Sequence, residues 1–263
     1  MMSVKNYSFN PVKKMNNPRI AEICSKLSRF YYLWNTFNFN EAFSISKELF
    51  NQILQFSNLF VTKFNIDLNI LQNQMTTIDL LHQNNRLKLL WNFFFTAERY
   101  EKNNQNDISA LLYYRTIESI FDNALKDISE NFDRSNPNYE TLSNNPEELK
   151  NDFIRIKSEY TKRSISNLPK NLSLVDSYCL LEAAGSELMK NNQKFQSKRV
   201  IGVSETRNVS IYAHGITPMN KNSVEKIKNL AIDILLTYIN IKGIESIEHE
   251  RENFQFLLLD NKQ

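Results

Sequence analysis

The sequence predicts an all-α fold, a helical bundle, and three observations carry that expectation. Apolar residues recur at spacings of three and four along most of the chain, the period of a helix with one buried stripe. Only 4 Gly and 6 Pro occur in 263 residues, which leaves few tight turns and favours long helices. No stretch before the C-terminal tail shows a convincing alternation of apolar and polar residues, the mark of a half-buried strand.

The elements follow in order. Pro18 suits a first helical position, and Ile20, Ile23, Cys24, Leu27, Phe30, Tyr31 and Trp34 form one stripe behind it. A break is expected over 35–40. A second helix carries Ala42, Phe43, Ile45, Leu49, Phe50, Ile53 and Leu54, a third runs from about residue 65 to Leu81, and a fourth from Asn84 toward Tyr100. The polar run 101–106 reads as a loop, with Asp107 as the N-cap of a helix over 108–129. The Asn-, Ser- and Pro-rich stretch 130–146 is the clearest loop. Helices are expected from Glu147 to Tyr160 and from Leu174 to Met189, with 191–199 a basic loop. Ser204 reads as the cap of a short helix that Gly215 and Pro218 stop. A last strong helix starts near Ser223, buries Ile227, Leu230, Ile234, Leu235 and Tyr238, and ends at Gly243. The tail from 244 reads as helix or short strand.

Composition excludes several classes of function. A net charge of +3 is only mildly basic, so nucleic-acid binding requires the positive charge to be concentrated locally. Cys24 and Cys179 stand far apart, giving neither metal-ligand spacing nor a disulfide framework, and a reducing cytoplasm is expected. The N-terminal residues lack the apolar segment of a signal peptide, and no apolar run approaches the roughly 18 residues of a membrane span. No cofactor is implied.

One short stretch carries chemistry: Arg207-Asn-Val-Ser-Ile-Tyr-Ala-His214, followed by Gly215. On a helix, residues seven apart lie on one face, about two turns or roughly 10 Å from each other. Arg207 offers fixed charge and a fork that fits phosphate oxygens. His214 can move a proton near neutral pH. Asn208 adds an amide that can hold a phosphate or orient the pair, and Ala213 leaves room for close approach. Arg and His at this spacing are also common by chance, a surface cation and a histidine at a helix end. Arg115 is a candidate for contact with substrate or, equally in keeping with its spacing from Glu118, for an intrahelical ion pair. Within the basic segment 190–199, Lys198 and Arg199 are candidates to grip phosphates, with Phe195 available to stack on a base; a plain solvated loop is the alternative. His82 and His249 lack partners at metal or triad spacing. Tyr212 falls on a different helical face and is expected to pack. The aromatic run Trp91–Phe95 is expected in a core or a dimer interface.

The segment RNVSIYAHG resembles the Arg-Asn…Ala-His-Gly signature of HEPN ribonucleases, in particular the ancillary HEPN ribonucleases of type III CRISPR systems, which usually carry a CARF sensor domain. AERYEKNNQNDISALLYYRTIESI (97–120) is similar to the first HEPN helices of those proteins, and FYYLWNTFNFNEAFSISKEL (30–49) to the helical segment before HEPN. Residues 1–17 read as a poorly ordered N-terminus, and the resemblance implies a preceding helical region over 18–85 and a C-terminal HEPN ribonuclease domain over 86–263. It implies a homodimer whose paired HEPN domains cut single-stranded RNA without metal, in antiviral defence. Arg207, Asn208 and His214 would be the catalytic residues, and Arg115, Lys198 and Arg199 would bind substrate. A CARF domain finds no room here, so a CARF-containing partner is one candidate for control. An antitoxin is another, if the chain is a HEPN toxin. A non-catalytic helical interaction module is the third reading.

Overall fold

The computed structural model describes residues 17–64, 66–211, 215–244 and 246–257. Among them no β-strand occurs, and the fold is all-α as expected. By internal contacts the chain divides into two compact units, Met1–Phe95 with Ser246–Gln263, and Thr96–Glu245. No described helix is long and apolar enough to cross a membrane.

In the first unit, α1 (Pro18–Asn35) starts as its sequence requires. Pro18 needs no N–H partner, and the Asn17 side chain accepts from the amides of Arg19 and Ile20. Its stripe of Ile20, Ile23, Leu27, Phe30 and Trp34 is buried. Then come α2 (Phe39–Gln55), α3 (Ser57–Phe64), α4 (Leu68–His82) and α5 (Arg86–Lys102), the last continuing beyond Phe95. Helix α3 falls where sequence periodicity leaves a gap; buried Phe60 and Phe64, one turn apart, hold it. The run Trp91–Phe95 lies in the core, and the Trp34 indole N–H donates to buried Asn92 at 2.7 Å. The ambiguous tail forms α12 (Ile247–Phe254), capped by Ser246 and packed on α4. Its Glu250 takes Lys88 at 2.7 Å.

The second unit is built on α6 (Asn106–Ile128) and α11 (Lys221–Lys242), which lie along one another. Helix α7 (Pro146–Thr161) packs on α8 (Leu174–Ala183), and α8 packs on α6. A capping box fixes the start of α8, where Ser173 and Asp176 each bond the other's backbone amide. The single helix expected to Met189 is broken at Gly185, whose φ of +65° lets the chain reverse before α9 (Glu187–Lys190). Gly243 ends α11 in the same left-handed conformation.

Helix α10 (Ser197–Asn208) departs from expectation at both ends. Residues 197–199, expected in a loop, form its first turn, anchored by buried Val200 and Val203. Ser204 lies inside the helix and is not its cap. The helix stops at Asn208 because Val209, Ser210 and Ile211 are poor helix formers that find another arrangement. Ser210 and Thr217 form an isolated parallel bridge, the Gly215 amide donates to the Ser210 carbonyl at 3.0 Å, and the Thr217 amide to that of Val209 at 3.4 Å. Asp107 does not cap α6. Its carboxylate accepts from the Met219 amide at 2.9 Å and so ties the start of α6 to the far end of this turn.

Candidate functional site

Arg207 stands in the last turn of α10. Its guanidinium carbon lies 5.3 Å from the centre of the Tyr114 ring on α6, within cation–π range. Its Nε is buried and meets no acceptor among the described residues. One Nη donates to the Asn208 side-chain oxygen at the long distance of 3.5 Å. No carboxylate of the described residues forms an ion pair with Arg207. Asn208 is exposed beside it.

The expectation that one short helix carries both Arg207 and His214 fails, because α10 ends six residues before His214. Tyr212, Ala213 and His214 lie outside the described residues. What brackets them is well defined. Ser210 is buried, while Val209, Ile211 and Ile216 are exposed at 57, 50 and 92 %. Gly215 touches backbone so closely that a Cβ there would lie 1.9 Å from the Val209 carbonyl oxygen.

Tyr114 is 4 % exposed, and Ser204, three residues before Arg207 on the same side of α10, is among the groups that act on its phenol. Burial pushes its phenol above the usual value; the charge of Glu118 adds to that, while Ser204 and the guanidinium of Arg207 oppose it. Glu118 is itself held. Arg115 reaches one oxygen at 2.6 Å, and Arg134 reaches the other at 3.3 Å while also donating to the carbonyl of Leu172 at 3.1 Å.

The remaining candidates are placed apart. Arg115 makes the intrahelical pair with Glu118, with its side chain still half exposed. Arg199 pairs with Asp233 of α11 at 2.7 Å and also donates to the Lys194 carbonyl. Lys198 is exposed in the first turn of α10; nine residues before Arg207 is two and a half turns, so the two leave opposite sides of the helix. Phe195 is fully buried, and stacking on a base is not open to it. His82 stacks on Phe43 and bonds Asn40, as an ordinary histidine of the first unit. Tyr114 is the participant that sequence reasoning missed. Its one signal is its place in the segment 97–120, and nothing local joins it to a residue 93 positions later.

A comparison with curated proteins returns no match. A model of the Csm6 HEPN domain matches residues 79–237, well over half of the chain. The matched stretch contains α6 to α10 and most of α11, and with them Arg207, Tyr114 and the turn behind α10. Members of that family are generally ribonucleases of CRISPR systems. The chain belongs to the Csm6 HEPN domain family.

Proposed function

We propose that this chain is a metal-independent endoribonuclease that cuts single-stranded RNA at a site completed by two copies of its HEPN domain, in antiviral defence. The observation that carries the reading is Arg207: a cation in the matched domain, set against an aromatic ring and paired with no carboxylate among the described residues. On this reading the catalytic domain begins at residue 86, and its stretch from Ser246 packs with the N-terminal helices.

The chemistry suits the residues. The ribose 2′-hydroxyl attacks the adjacent phosphorus, and the bond from phosphorus to the 5′-oxygen breaks. The products are a 2′,3′-cyclic phosphate and a 5′-hydroxyl. His214 moves a proton in this exchange, taking it from the 2′-hydroxyl or delivering it to the leaving oxygen. Negative charge grows on the non-bridging oxygens, and Arg207 answers it with two Nη groups whose present partner, Asn208, is weakly bonded. Asn208 orients the phosphate or the guanidinium. Arg115 and Lys198 remain candidates for more distant phosphates; Arg199 must first exchange Asp233.

The test is cleavage of a labelled single-stranded RNA with EDTA present. The wild type should yield cyclic-phosphate ends, and Arg207→Ala or His214→Ala should lose at least about 10²-fold in rate with the fold unchanged. Undiminished cleavage by the purified double variant would remove the assignment. The same assay with and without cyclic oligoadenylates reads whether such an activator controls the rate.

A further inference from the structure

We infer that Tyr114 is the positioning residue for Arg207, a role that rests on the ribonuclease reading above. Four other arginines of this unit are held by carboxylates: Arg115 and Arg134 by Glu118, Arg199 by Asp233, Arg155 by Asp152. A carboxylate fixes a guanidinium but also cancels its charge. Arg207 is instead held by the face of a ring, which attracts the cation yet leaves it a full positive charge.

Three features make the ring a fixed platform. Tyr114 is buried within α6, so its position is set by packing. Ser204, one turn before Arg207, acts on its phenol from the same side of α10 as the guanidinium. The carboxylate one turn further along α6, Glu118, is occupied by Arg115 and Arg134 and is thereby kept from Arg207. The Nε of Arg207 is buried and meets no acceptor among the described residues, while one Nη reaches the side chain of exposed Asn208. Such preorganisation lowers the cost of meeting charge that appears only in the transition state.

The experiment compares Tyr114→Leu, Tyr114→Phe and Arg207→Ala with the wild type in single-turnover RNA cleavage. Thermal unfolding serves as the fold control. Tyr114→Leu should lower kcat roughly tenfold with KM changed less than about twofold, because the lost attraction acts on orientation. Tyr114→Phe keeps the ring face and should retain cleavage to within about threefold. The second readout is the NMR signal of the Arg207 Nε–Hε pair, bonded to the guanidinium carbon that lies 5.3 Å from the ring centre. It should be ring-current shifted in the wild type and in Tyr114→Phe, and return to the position of a free arginine in Tyr114→Leu.

If Arg207→Ala is inactive while Tyr114→Leu cleaves as the wild type does, the positioning role is overturned and the ribonuclease reading stands. If Arg207→Ala is fully active, the ribonuclease reading fails. If Tyr114→Leu does not fold, the NMR signal of the wild type and Tyr114→Phe decides, and an unshifted Arg207 in the wild type overturns the inference.

Discussion

At the scale of single residues, the candidate site depends on contacts that leave little room. Gly215 is the sharpest case. Its φ is not left-handed, so its need for glycine is spatial: any Cβ would meet the backbone of Val209, which cannot swing aside as a flexible side chain would. Gly215→Ala is therefore expected to destabilise the domain by about 1–3 kcal/mol, the cost of overpacking a closed site. It should also reduce RNA cleavage, by moving the segment that follows Arg207. Denaturant unfolding and a cleavage assay on the same sample check both. The sequence nominates the residue types of the candidate site, since an arginine, an asparagine and a histidine before a glycine suggest phosphate chemistry. The partner of Arg207 was not. A ring on α6 meets the guanidinium only through tertiary packing, and no local pattern links positions 114 and 207. Phe195 shows the same limit in reverse: a basic neighbourhood suggested an exposed ring, and packing buried it.

At the scale of elements, the helices with long apolar stripes were readable and the short or interrupted ones were not. Periodicity cannot see that Gly185 is left-handed, or that Val209 and Ile211, which fit a helical apolar pattern, lie beyond the end of α10. It also assigned Asp107 to the commonest duty of an aspartate before a helix, capping. The structure uses that carboxylate to accept from the Met219 amide instead. This bond joins the beginning of α6, the helix that carries Tyr114, to the turn that leads into α11. Asp107→Ala should cost about 1.5–3 kcal/mol, the range for hydrogen bonds to a charged group. Hydrogen exchange at the Met219 amide should quicken well before global unfolding. Asp107→Asn retains an acceptor oxygen and should recover most of the protection. Equal exchange in all three proteins would show that the turn is held by other means.

At the scale of the whole molecule, sequence suggests a division near residue 86 but gives no sign that the stretch from Ser246 groups with the N-terminal helices, a closure spanning most of the chain. Both units share one vulnerability. Tyr31 in the first, and Tyr114 and Tyr178 in the second, are buried phenols pushed above their ordinary value chiefly by desolvation. A raised value in the folded state gives stability that is fully present below the unfolded value of about 10. As pH rises beyond that, unfolded tyrosines ionise while the folded ones resist. Stability should fall by up to about 1.4 kcal/mol per pH unit for each such residue. The chain is expected to hold its stability from neutral pH to about 9 and then lose it steeply, with phenolate absorbance from these rings appearing together with unfolding. Smooth ionisation of all tyrosines ahead of unfolding would contradict this.

The end of α10 at Asn208 changes what sets the distance between the two chemical partners of the motif. Had they shared a continuous helix, one inserted or deleted residue would swing the second through about 100° and carry it off the working face. Here the chain leaves the helix after the first partner and is drawn together again at Gly215 and Thr217 by backbone bonds to Ser210 and Val209. Spacing is thus governed by the backbone bonds that join Val209 and Ser210 to Gly215 and Thr217 rather than by helical pitch.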